Sequence, residues 1–239
     1  SSLESVARAV AGIMSLPEGI VPTTLDIMDK VILDILAQTP GGARFPEGVE
    51  AILMIEVDGA PCAVDEHCQA LAKVCRQMGA VKVERAADQA EADRLWEARR
   101  SYTGAMCGVS PNLLTEDAVV PVSKLPLIMN KIGQLRQKHQ VRVGMVAHAG
   151  DGNLHPEIMT DVNDESEMTR VEDFIQEMYA EVIALGGTLS GEHGIGLGKS
   201  KYIPLEKSPR EVDLMRRIKK VFDPNDILNP GNFLTHDAF

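Results

Sequence analysis

Residues 141–160, VRVGMVAHAGDGNLHPEIMT, hold two runs of β-type composition separated by a glycine-rich turn. The first run covers 141–147, and Leu154 opens the return over 154–160. A connection this short forces the strands to run antiparallel, because a parallel pair needs a crossover of a dozen or more residues. Outward from this hairpin, helices are expected over 125–139 and 165–185, the second stopped by Gly186-Gly187.

Further toward the amino terminus, Leu3, Val6, Ala7, Val10, Ile13 and Met14 follow helical spacing until Pro17 and Gly19. Leu25, Ile27, Met28, Val31, Ile32, Ile35 and Leu36 predict a second helix over 22–38, with Pro40-Gly41-Gly42 in the loop behind it. A strand over 50–57 ends at Asp58-Gly59, and a helix over 64–78 closes at Gly79. A short strand over 81–85, a helix over 88–106 and a strand over 115–122, edge-like at Pro121, complete this half. The last helix spans 209–222. The order implies an α+β fold: an antiparallel, ferredoxin-like sheet with helices on one face, plus a small C-terminal helical segment. Residues 1–187 form the main domain and 188–239 a glycine-rich and helical tail.

The chain of 239 residues is long enough for a sizeable core. A formal net charge of −11 argues against general binding of nucleic acid or anionic membrane. No apolar run approaches membrane-spanning length, and no basic segment of a signal peptide opens the chain. Cys62, Cys68, Cys75 and Cys107 lack metal-binding spacing, so reduced, inert thiols and a cytoplasmic setting are expected. Ser1-Ser2-Leu3-Glu4 has the form of a helix capping box without a preceding Met, as in a chain cut from something longer.

The chemistry concentrates in residues 148–155 (HAGDGNLH) and 190–196 (SGEHGIG). Cross-strand neighbours in a hairpin have Cβ atoms about 4.5–5.5 Å apart, so imidazoles at His148 and His155 can converge on one ion. Glu192 offers an anionic third ligand, leaving positions open for water or substrate. Zn²⁺, Mn²⁺ and Fe²⁺ all suit such a set. The competing reading is a surface hairpin with two solvated histidines. Asp151 is read as turn chemistry rather than a ligand, and Asn153 as a polar contact to a bound molecule. In an extended segment Glu192 and His193 point to opposite sides; His193 then serves as a general base or packs beneath the following loop. Arg99 and Thr103 share a helix face that is either an anion clamp or merely solvated. The glycines and Lys199-Ser200 lack phosphate-loop spacing.

Residues 148–156, 190–196 and 222–231 (FDPNDILNPG) resemble the C-terminal half of the FAD-linked oxidases. That group includes D-lactate dehydrogenase, D-2-hydroxyglutarate dehydrogenase and the glycolate oxidase D-subunit, the last being nearest. Glu56-Val57-Asp58-Gly59 and Trp96-Glu97-Ala98-Arg99-Arg100 extend the likeness essentially end to end. The resemblance implies oxidation of a small 2-hydroxy acid to the 2-oxo acid with hydride transfer to FAD. It further implies His148, His155 and Glu192 as metal ligands, His193 as the base, and Arg99, Thr103 and Asn153 as substrate contacts. Asn229 and Asn232 would approach the flavin, with the 188–239 segment facing it. The FAD-binding half is not in this sequence, so the chain is expected to be the substrate-binding cap domain. It should be inactive alone and hold FAD weakly or not at all. Its partners would be the FAD-binding domain of the same protein and other oxidase subunits, which could tie it peripherally to the inner membrane. Thr115 stands where the 2-hydroxyglutarate branch has a lysine, which favours glycolate or lactate. Two alternatives remain beside this reading: a stand-alone metal-dependent hydrolase and a non-catalytic subunit-assembly domain.

Overall fold

The computed structural model describes residues 3–16, 19–39, 44–231 and 234. Its elements are α1 (Leu3–Ile13), β1 (Thr24–Asp29), α2 (Lys30–Gln38), β2 (Ala51–Glu56), α3 (Pro61–Gln77), α4 (Gln89–Cys107) and β3 (Asn112–Thr115). They continue with β4 (Ala118–Val119), α5 (Leu125–His139), β5 (Arg142–His148), β6 (Asn153–Thr160), α6 (Glu165–Ala184), α7 (Ile203–Glu206) and α8 (Pro209–Phe222). The expected capping residues Ser1 and Ser2, together with Pro17, Pro40-Gly41-Gly42 and Asn232, lie outside the described residues.

The expected hairpin is the middle of the sheet. β5 pairs antiparallel with β6, placing His148 opposite Asn153 and Val146 opposite His155. The strand order is β2-β1-β5-β6-β3, with β4 also on β6, and every pairing is antiparallel. The α+β class and antiparallel sheet are therefore as expected. The helices, however, occupy both faces. Leu25, Ile27, Val143, Met145, Ala147, Leu154 and Ile158 join the core formed with α1, α3, α5 and α6. Met28, Val146 and Met159 point the other way, into a second core with Ile32, Leu33, Ile35 and Leu36 of α2 and Ala98 and Met106 of α4. Gly144 fits beneath that second layer: a Cβ there would lie 2.4 Å from Ile32 Cδ1.

Three local expectations change. Residues 24–29 of the expected second helix form β1, and only 30–38 are helical. β1 is buried on both faces, so its apolar residues lose the alternation that marks a half-exposed strand. Residues 81–85 form no strand, and Val81 is exposed. The strand expected over 115–122 is β3 and β4, interrupted at Glu116-Asp117, followed by a turn of 3₁₀ helix at Val122–Lys124. Across the interruption stands Pro156, whose carbonyl accepts from the Glu116 N–H at 3.0 Å. Pro156 has no N–H to return the bond, so the ladder breaks there.

After α6 the chain rejoins the sheet, where Thr188 bridges Val119. Glu206 accepts from the Thr188 hydroxyl and the Leu189 N–H, tying the segment around α7 to this edge. Among the described residues no helix is long and apolar enough to cross a membrane.

Candidate metal centre

Strand alternation and register put Asp26 of β1, His148 of β5, Asn153, His155 and Glu157 of β6, and Thr115 of β3 on the same sheet face. This is the face that α2 and α4 cover in part. Residues 190–194 lie over its uncovered end, where a Cβ at Gly191 would meet Val119 Cγ2 at 2.6 Å and Asn153 Nδ2 at 2.8 Å. Glycine is required at 191 because the loop passes directly over β4 and β6.

His148 and His155 are 5.3 Å apart between ring centroids, and both aim Nε2 at Glu192. Their other nitrogens are occupied. His148 Nδ1 donates to Asp26 Oδ1 at 2.8 Å, and His155 Nδ1 donates to the Glu116 carbonyl at 3.3 Å. That carbonyl is the one Pro156 leaves without a ladder partner, so the proline in β6 also fixes the histidine tautomer. With Nδ1 carrying the proton, a neutral imidazole turns its Nε2 lone pair outward. His155 Nε2 is buried, lacks a hydrogen-bond partner, and stands 3.1 Å from Glu192 Oε1. A cation between these two atoms, or a proton on Nε2, would reconcile two acceptors facing at that distance. Ligand atoms each about 2.1 Å from one ion are about 3.0–3.4 Å apart at octahedral to tetrahedral angles. The His148 Nε2 to Glu192 distance is longer, 3.8 Å.

The electrostatics favour a neutral imidazole at His155 and a protonated one at His148 in the absence of an ion. Burial works against the charge on Asp26, but hydrogen bonds from His148 and Arg99 outweigh it and hold the carboxyl below its ordinary value. The Asp26 hydrogen bond raises His148, against a smaller burial effect, while burial and the neighbouring His148 lower His155 and favour its neutral form.

A second triad, Asp117, His155 and His193, also brings its ligand atoms within 4.8 Å of one another. The two sets share His155, whose Nδ1 already faces the Glu116 carbonyl, so a single free nitrogen cannot serve both. The set with Glu192 is preferred because it leaves the hydrogen bonds to Asp117 Oδ2 intact, although Asp117 Oδ1 is buried without a hydrogen-bond partner. Its Oδ2 accepts from Ser190 Oγ at 2.6 Å and from the N–H groups of Gly191, Glu192 and His193 at 2.9, 3.0 and 2.8 Å. Burial raises Asp117, yet Ser190, these N–H groups and the Lys199 charge hold it well below the usual carboxylate range.

This wrapping corrects the expectation for residues 192–193. The segment is curled, not extended, so Glu192 and His193 do not diverge. His193 Nε2 lies 3.8 Å from Glu192 Oε1, and its ring stacks on His155 with centroids 5.0 Å apart. Asn153 is buried with Oδ1 unpaired. Arg99 reaches the site, but its Nε donates to Asp26 Oδ2 at 2.8 Å, and its guanidinium lies over Tyr102. Thr103, one turn along, is exposed. Asp151 is an exposed turn residue outside both ligand sets. Asn229 adopts a positive φ of 47° beyond α8 and belongs to neither ligand set. Sequence reading missed Asp26 and the role of Asp117. It also missed Glu157, a buried carboxyl that accepts from Tyr102 at 3.0 Å and Thr115 at 2.8 Å.

A family model described as "FAD linked oxidases, C-terminal domain" matches residues 1–233. The glycolate oxidase subunit GlcD of Bacillus subtilis is 35% identical over 99% of this chain and 50% of its own length. A probable mitochondrial D-lactate dehydrogenase of Danio rerio is 29% identical over 98% of this chain and 47% of its own. The chain thus spans about half the length of these curated relatives. The solved structure of p-cresol methylhydroxylase shares the fold, with a TM-score of 0.70 at 15% identity, covering 99% of this chain and 52% of that one. These matches lend no support to a stand-alone hydrolase or an assembly domain.

Proposed function

Because this chain belongs to the family of FAD-linked oxidase C-terminal domains, we propose that it is the substrate-binding half of an FAD-dependent 2-hydroxy-acid dehydrogenase or oxidase. The substrate is a small 2-hydroxy acid of the glycolate or D-lactate class, which leaves as the 2-oxo acid. His148, His155 and Glu192 would hold a divalent ion, with Zn²⁺, Mn²⁺ and Fe²⁺ all compatible. A bound ion would supply Lewis acidity toward the substrate hydroxyl, and FAD would supply the hydride acceptor.

The chain's own residues bind, orient and move the proton. His193, beside Glu192 and partly exposed to an incoming molecule, removes the hydroxyl proton. Arg99 supplies the cation for the substrate carboxylate, held in place by Asp26, while Thr103 offers a hydroxyl at the rim and Asn153 a buried polar contact. Asn229 approaches the flavin, whose binding belongs to the half that the relatives have in addition. The carrying observation for the ion is the face-to-face acceptor pair, His155 Nε2 and Glu192 Oε1 at 3.1 Å. Support for the partner half comes from α8, where Leu214, Ile218, Val221 and Phe222 expose an apolar stripe at helical spacing. A cytoplasmic setting, peripheral to the inner membrane through other subunits, fits this assignment.

The test uses this chain joined to its flavin-binding half. Glycolate or D-lactate should bleach the flavin absorbance, and His193→Gln should slow that reduction by about 10²–10⁴-fold. No bleaching by either acid would refute the substrate class, and an unaffected His193→Gln rate would refute the base.

A further inference from the structure

We propose that Asp117 is the positioning residue that sets both Glu192 and His193 against the two histidines. This rests on the metal reading of His148, His155 and Glu192. One oxygen, Asp117 Oδ2, gathers the N–H groups of three successive residues, Gly191, Glu192 and His193, and the hydroxyl of Ser190, all within 3.0 Å. Ser190 Oγ in turn accepts from the Gly194 N–H at 2.7 Å, closing the curl. Three consecutive amides pointing inward at one anion force the intervening backbone to bend around it. That bend brings side chains 192 and 193 to the same place rather than to opposite sides.

The anion is itself anchored. Asp117 lies in the short break between β3 and β4 and is fully buried. Lys199 Nζ, also buried, stands 3.6 Å from Asp117 Oδ2 and donates to the carbonyls of Asp117 and Leu189, each at 3.2 Å. The cation therefore clamps both ends of the loop to the strand that carries the carboxylate. Asp117 does not need to touch substrate. It couples ligand and base mechanically, so losing it should disturb both at once.

Mn²⁺ titrated calorimetrically into the purified chain provides the test, with circular dichroism to confirm folding. The wild type should bind one equivalent. Asp117→Asn keeps the size but loses the charge, and should weaken Mn²⁺ by roughly 10–100-fold, the usual scale for residues that orient metal ligands. Ser190→Ala removes one donor and leaves the carboxylate, and should weaken Mn²⁺ by a smaller factor. Lys219→Ala, at the far end of α8, should lower stability without changing Mn²⁺ affinity, which separates positioning from general loosening. Wild-type affinity in both Asp117→Asn and Ser190→Ala overturns the positioning role while leaving the metal reading intact. If Asp117→Asn fails to fold, Ser190→Ala decides alone, and an unchanged affinity overturns the role. Failure of the wild type to bind Mn²⁺ defeats the metal reading and the positioning role together.

Discussion

At the scale of single residues, the site depends on atoms that have only one acceptable partner. Gly152 ends the hairpin turn at φ +74°, and a Cβ there would lie 2.0 Å from the Val120 carbonyl oxygen. Backbone cannot yield as a flexible side chain does. Gly152→Ala should cost about 1–3 kcal/mol from the left-handed conformation alone, with the clash in addition, read as a lowered urea midpoint. His148, His155 and Glu192 were legible because histidine and carboxylate stood among glycines, a local mark. Asp26, Asp117 and Glu157 carried no such mark. Each is a carboxylate in or beside a strand, and its part is assigned by a neighbour far away in sequence: Asp26 through its register with His148, Glu157 through Thr115, Asp117 through a loop more than seventy residues on. Arg99 was visible as a candidate clamp, but its prior commitment to Asp26 was not.

Elements whose burial is one-sided were easy to read, and those whose burial is two-sided were not. The helices α5 and α8 fall where the apolar spacing and caps put them, at Leu125–His139 and Pro209–Phe222. β1 was hidden because Leu25, Ile27 and Met28 fit a helical stripe equally well once both strand faces are apolar. The break between β3 and β4 follows from Pro156 on the partner strand, which no local pattern at 115–122 could reveal. The end of α8 yields a further expectation. The Lys219 ammonium first, and then the N–H groups of Leu228 and Ile227, hold the Asp223 carboxyl down to about 2 against a smaller burial effect. A carboxyl lowered on folding stabilises above its ordinary pKa, and that stability fades as pH falls toward the folded value. Between about pH 4 and 2 the wild type should lose stability that Asp223→Asn never had, so their melting temperatures should converge. A constant gap across that range would rule out the linkage.

For the whole molecule, the two faces of the sheet divide the labour. One face packs α1, α3, α5 and α6 into the larger core and supplies rigidity. The other is covered by α2 and α4 only in part, and its open end receives the loop that Asp117 curls. The proposed metal ligands therefore come from two strands and one loop held to a third, all backed by the main core. Under the proposed function, the exposed stripe of α8 would face a partner half that supplies the remaining chemistry. What this chain would contribute on that reading is the ion-binding part, and it can be tested without flavin. The direct measurement is the metal content of the purified chain after incubation with Mn²⁺ or Zn²⁺ and gel filtration, compared with His155→Ala. The wild type should retain about one ion per chain, and His155→Ala, which removes a buried ligand outright, should retain almost none. Equal metal in the two proteins, or none in the wild type, would contradict the site.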